Sequence, residues 1–283
     1  MPRIDAHQHY WDPAQIDYGW LTEKSSPILY RSYMPEDLEP ALHAAGMDRT
    51  ILVQAATHHE ETHYMLKLSE QHESIAGVVG WLDLNDPQWA AVLESFRSHP
   101  KFLGFRLMIQ DMPEPSEILR PNVIEALREI AKMDLPVDLV AMWHQLPVVL
   151  ELLRNVPGLR VVMDHLAKPR IKEGIFEPWA TQMREVASYP KIYCKLSGLV
   201  TEADHTAWEA GDFTAYVAHI VDIFGTSRIM YGSDWPVCLL AGSYAQVHEA
   251  LGKVLPDTLT DAELTALYGG NAAVFYKLDA IPE

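Results

Sequence analysis

His7 and His9 lie two residues apart in DAHQHYW. In an extended chain, alternate side chains leave one face about 7 Å apart along the backbone, so two imidazoles can converge on one cation. An incidental pair at a strand end is the competing reading, and a place on the first strand of a barrel favours chemistry. Asp234, in GSDWP, offers a carboxylate that can take a proton from water or bind a metal from the opposite wall; beginning a turn or capping a helix is its alternative. Asp164 and His165 end VVMDH. Neighbours on a strand alternate in direction, so only one of them is expected to point inward. We assign that place to His165 and leave Asp164 behind the site or at a helix cap. Arg106, in GFRLM, carries a guanidinium that a barrel interior tolerates only when paired with a protein carboxylate or a substrate oxygen. Lys195 carries the same two readings and is assigned to structure.

These residues need strand ends to hold them. Short apolar, β-branched stretches alternate with segments of helical periodicity, the pattern of βα units feeding a parallel sheet. Eight strands are predicted, at residues 3–7, 50–55, 75–82, 102–108, 136–141, 159–165, 192–197 and 228–234. Right-handed crossovers close them into a (β/α)8 TIM barrel spanning 1–283 as one domain. Pro35, Glu36 and Asp37 open a helix that Gly46 ends, and apolar residues at 123, 124, 127, 130 and 131 mark another over 122–133. The loop 10–34, rich in Tyr, Trp, Ser and Pro, follows the first strand and is expected to lie over the mouth as a lid or pocket wall. Trp81, Trp143, His144 and Trp235, at C-terminal strand ends, are the candidate substrate wall, together with Arg106. Trp179 is a further candidate for that wall. His58, His59 and His63 read as the solvated start of a helix.

Composition narrows the chemistry further. The chain has 283 residues and two cysteines, Cys194 and Cys238, in no metal-type spacing, so any metal falls to His and carboxylate. A formal charge of −17, with 22 Lys and Arg dispersed along the chain, argues against nucleic acid and anionic membrane as partners and for a small-molecule substrate. No apolar run reaches the roughly 18 to 20 residues of a membrane span, and MPRIDAHQHYW shows no signal-peptide pattern, so a cytoplasmic enzyme is expected, with a homo-oligomer left open.

The segments DAHQHYW, LVQA, GW, GFR, MDHLAKP, CKLSGLVTEAD, YGSDWPVC and GGNAAVFY, in that order from residue 3 to about 276, resemble the Amidohydrolase 2 family of the amidohydrolase superfamily. The combination is most similar to the branch of L-fuconolactonase and L-rhamnonolactonase type sugar lactonases, which also holds dicarboxylate and muconolactone hydrolases. The resemblance implies that His7, His9, His165 and Asp234 surround the reacting water, either as ligands of a divalent metal such as zinc or, in metal-free members, with Asp234 as general base and the histidines and Arg106 polarising the carbonyl. Opening of an aldonolactone is the expected reaction. Alternatives are a dicarboxylate or muconolactone-type lactone, metal-dependent decarboxylation on the same barrel, and a non-catalytic sugar-acid binding protein. HxH, DH and SD together disfavour the last. Where many relatives carry Arg-His on the fourth strand and an Arg-Pro-rich segment after the fifth, this chain has Arg106-Leu107 and Met142-Trp143-His144-Gln145. That difference implies a more aromatic recognition surface and a less hydroxylated lactone.

Overall fold

The structure is a computed structural model and describes residues 2–278. Eight strands, β1 (Ile4–Gln8), β2 (Arg49–Val53), β3 (Ile75–Gly80), β4 (Phe102–Met108), β5 (Val137–Val140), β6 (Val161–Met163), β7 (Ile192–Leu196) and β8 (Ile229–Tyr231), pair in parallel in chain order. A parallel bridge between Gln8 and Trp235 brings the two edges together and nearly closes a barrel. The strands are buried on both faces, as expected when helices cover a parallel sheet, and this is why they read as apolar runs in the sequence.

The outer layer holds α1 (Pro35–Ala44), α2 (His59–Gln71), α3 (Trp89–Arg97), α4 (Pro121–Lys132), α5 (Leu146–Asn155), α6 (Trp179–Ala187), α7 (Thr214–Phe224) and α8 (Tyr244–Val254), followed by α9 (Asp261–Thr265) and α10 (Asn271–Tyr276). α1 begins with Pro35 and two acids, and Gly46, at φ +70°, turns the chain into β2 as its sequence position predicts. In α4, Val123, Ile124, Leu127 and Ile130 form the buried stripe. Ile4, Ala6, Ile51, Val53, Val79, Val162 and Met230 cluster with Phe275 and Tyr276 of α10, so the last helix packs against the lower interior of the barrel.

β1 is not a regular strand. Its register against β2 shifts between Asp5 and Gln8. The irregularity sends Asp5 toward the β8 seam, where it accepts from Ser233 N (2.9 Å), while His7 faces Asp164 across the barrel. Strict alternation would have put Asp5 and His7 on one side. The loop 10–34 is pinned at both ends by reciprocal bonds between Trp11 and Tyr33, Trp11 N to Tyr33 O (3.1 Å) and Tyr33 N to Trp11 O (2.9 Å). It reaches the mouth through Trp20, whose indole donates to Ala55 O (2.8 Å).

Candidate active site

The C-terminal strand ends bring three imidazoles to one carboxylate. Asp234 Oδ1 stands 3.3 Å from His9 Nε2, 3.7 Å from His7 Nε2 and 3.9 Å from His165 Nε2. Asp234 takes this place because its backbone leaves β8 in the left-handed region, at φ +58°, with its N–H bonded to His7 O (2.8 Å). Gly232 is required just before it, since a Cβ there would come within 2.6 Å of His7 Cβ. Burial works against the charge of Asp234, but His165 and His9 outweigh it and hold the carboxyl below its ordinary value, so it remains a carboxylate.

Asp164 and His165 do not divide inside and outside as strand alternation predicts. β6 ends at Met163, and residues 165 to 168 all have positive φ, so alternation no longer applies and both side chains turn inward. Asp164 meets His7 Nδ1 (3.3 Å), Arg106 Nη1 (3.4 Å) and Lys195 Nζ (3.1 Å). His165 Nδ1 lies 2.9 Å from Ser197 Oγ, and Gly198 leaves room for its ring. Burial first, and then Lys195 among the nearby cations, keeps His7 well below its usual pKa; burial does the same for His165 against the pull of Asp234.

Beneath these groups lies a buried charge network. Lys195 pairs with Asp138 and Asp164 and sits 3.1 Å from His7 Nδ1, so a lysine assigned to structure also touches the site. Asp138 is pushed up to about 6 by burial against the pull of Lys195, and accepts from Tyr276 Oη (2.7 Å). Arg106 donates to Asp164, to Gln54 Oε1 (3.2 Å) and to Gln54 O, while its Nε is buried with no partner among the described residues. Lys168 was missed by sequence reasoning, although MDHLAKP carries it past His165.

A cavity of about 250 Å³ opens above Asp234, walled by His9, Trp11, Trp20, Arg106, His165 and Lys168. Arg106 is shared with a neighbouring cavity of about 260 Å³ that includes Trp81, and Lys168 with one of about 500 Å³ that includes Trp143. Three expectations for the wall need correction. Trp235 is buried against Tyr10 and Tyr33, with ring centroids 5.8 and 5.2 Å away, because cross-barrel pairing of its backbone turns the side chain toward the core. His144 is exposed on the short helix after β5, edge-on to Trp143, and lines none of these three cavities. Trp179 also lies in the core, donating to Leu166 O (2.6 Å). His59 begins α2 as expected; His58 is its N-cap and contacts Asp17 O in the lid (2.8 Å), not the reacting centre.

A parallel barrel with histidines, carboxylates and a cavity at the C-terminal strand ends defines the class of enzyme that activates water on a barrel scaffold. The chain belongs to the amidohydrolase family, whose profile matches residues 4–278. It is 38% identical over 280 residues to the L-fucono-1,5-lactonase of Burkholderia ambifaria, covering 98% of this chain and 96% of that protein. The crystal structure of an amidohydrolase from Burkholderia multivorans with bound zinc superposes with a TM-score of 0.91 at 36% identity, covering 99% of this chain and all of that one. A 2,6-dihydroxybenzoate decarboxylase from Rhizobium shares the fold alone, with a TM-score of 0.69 at 12% identity, covering 99% of this chain and all of that one.

Proposed function

We propose that this enzyme hydrolyses the lactone of a sugar acid, of the L-fucono-1,5-lactone class, to the open hydroxy acid. The observation that carries the reading is the Asp234 carboxylate ringed by three imidazoles and opposed by Arg106 within one cavity, in a chain similar to curated lactonases over nearly its whole length.

The donor set fits a divalent ion. His9 Nδ1 donates to Val53 O (2.7 Å), so in the neutral ring Nε2 presents a lone pair toward Asp234, an arrangement that a cation or a shared proton satisfies. Atoms of His7, His9 and Asp234 lie within 4.8 Å of one another, and these residues, with His165 beside Asp234, would hold the ion. A bound divalent ion lowers the pKa of its water toward neutrality.

The chain's own groups account for the proton movements. Asp234 accepts a proton from the water that attacks the lactone carbonyl. Arg106 and His165 face the oxygen on which charge develops, and the low dielectric of the cavity strengthens that interaction. Collapse of the tetrahedral intermediate breaks the ring C–O bond, and the ring oxygen takes the proton back from Asp234. Water has then been added across the ester, and the new carboxylic acid ionises to solvent. Trp20 offers an apolar face to the sugar ring and is backed edge-on by the buried Trp11, with ring centroids 5.6 Å apart.

The test is acid release from a panel of aldonolactones by wild-type and Asp234→Asn protein. Wild-type turnover with kcat reduced about 10²- to 10⁴-fold in Asp234→Asn is expected. Wild-type rates in Asp234→Asn would exclude Asp234 as the base.

A further inference from the structure

Three consecutive carbonyls at the end of β2 hold three parts of the site. Val53 O accepts from His9 Nδ1, Gln54 O from Arg106 Nη2 and Ala55 O from the Trp20 indole. The N–H at the other end of each peptide unit differs. The plane that holds His9 is completed by an ordinary ladder bond, Gln54 N to Val79 O (2.9 Å). The planes that hold Arg106 and Trp20 are completed by one carboxylate, with Ala55 N donating to Glu61 Oε1 (2.8 Å) and Ala56 N to Glu61 Oε2 (2.7 Å).

We propose that Glu61, in the first turn of α2, is a positioning residue that acts through two peptide planes, setting Arg106 by way of Gln54 O and the lid residue Trp20 by way of Ala55 O. The consequence for catalysis rests on the role of Arg106 proposed above. The positioning of Trp20 does not. Glu61 is fully buried, so no water competes for its two oxygens. Burial pushes the carboxyl up to about 8, opposed by the Ala56 and Ala55 bonds, which favour the carboxylate, and by Arg106. A hydrogen bond at one end of a peptide unit polarises and orients the other end, so the two carbonyls are better acceptors, and better fixed, than free loop carbonyls. Glutamine cannot replace this carboxyl, because its amide would set N–H against N–H at one of the two contacts.

The test combines kinetics with indole NMR on the intact chain. In Glu61→Gln, kcat is expected to fall about tenfold or more and KM to rise. In an Arg106→Ala background the added loss in kcat is expected to shrink to about twofold or less, and in Trp20→Phe the added rise in KM likewise, because each background has lost the group through which Glu61 acts. Equal effects in all backgrounds, or a lower Tm with unchanged kcat and KM, would reduce Glu61 to a structural residue. If Glu61→Gln does not fold, Glu61→Asp, one methylene too short to reach both N–H groups, carries the same cycles. The Trp20 indole ¹⁵N–¹H signal, assigned by its loss in Trp20→Phe, is expected to move in the Glu61 variant while indoles remote from the lid hold still. An unmoved Trp20 signal overturns the positioning itself. A protein that hydrolyses no lactone but shows the moved signal loses the proposed function and keeps the positioning.

Discussion

Gly198 and Lys195 show how much of the site depends on single atoms that touch no substrate. A Cβ at Gly198 would stand 2.7 Å from His165 Nδ1, on a residue already at φ +64°. Gly198→Ala is therefore expected to displace the imidazole and lower kcat by tenfold or more, on the order of the 1 Å misplacement penalty. Steady-state kinetics beside a thermal melt would check it, a lower Tm with full kcat being the contrary result. Lys195 stands between Asp138 and Asp164 at zero exposure. Replacing it by Met leaves two carboxylates without their shared cation, a loss of about 3–5 kcal/mol that chemical denaturation would measure. The types and spacing of His7, His9, His165, Arg106 and Asp234 were readable in the chain because few ionisable residues sit at strand ends. The roles of Lys195 and Asp164 were not, since a buried charge declares its partner only when distant strands meet.

At the scale of elements, the connections decide more than the strands do. The left-handed run from His165 to Lys168 brings two adjacent side chains into the barrel, and the irregular register of β1 turns Asp5 and His7 apart. Local pattern cannot show either, because a run of non-glycine residues at positive φ outside a helix cap is strained and is held there by tertiary contacts. Among the loops, Asp134 ties the start of β5 to neighbouring segments. It bonds Arg160 Nη2 (2.5 Å), Lys277 Nζ (2.8 Å) and Lys191 Nζ (3.2 Å). Hydrogen bonding from Arg160 first, against burial and with help from Lys277 and Lys191, holds its carboxyl below the usual value of 3.8. A depressed folded pKa contributes stability that is present above the unfolded value and lost as pH falls through the folded one. Asp134→Asn is thus expected to lower Tm at pH 7, with the gap to wild type closing as pH drops below about 3.8. A gap that persists in acid would assign the effect to packing.

For the whole molecule, metal is the question that joins site to stability. An ion held as proposed by His7, His9 and Asp234 would bind the folded chain in preference to the unfolded one and would stabilise it with the logarithm of its concentration over Kd. Titration with zinc is expected to raise the wild-type Tm and to leave His9→Ala unmoved; an equal rise in both would place the ion elsewhere. No helix among the described residues is long and apolar enough to cross a membrane. The sequence alone determined the barrel, because strands buried on both faces are written as short, largely apolar runs and their helices as one-sided stripes, and it put the candidate site residues at strand ends. Only the tertiary structure decided which residues meet there. The direction of Trp235, the convergence of Asp164 with His165, and the two peptide planes between Glu61, Arg106 and Trp20 depend on backbone turns and cross-barrel contacts between segments far apart in the chain, which no local pattern encodes.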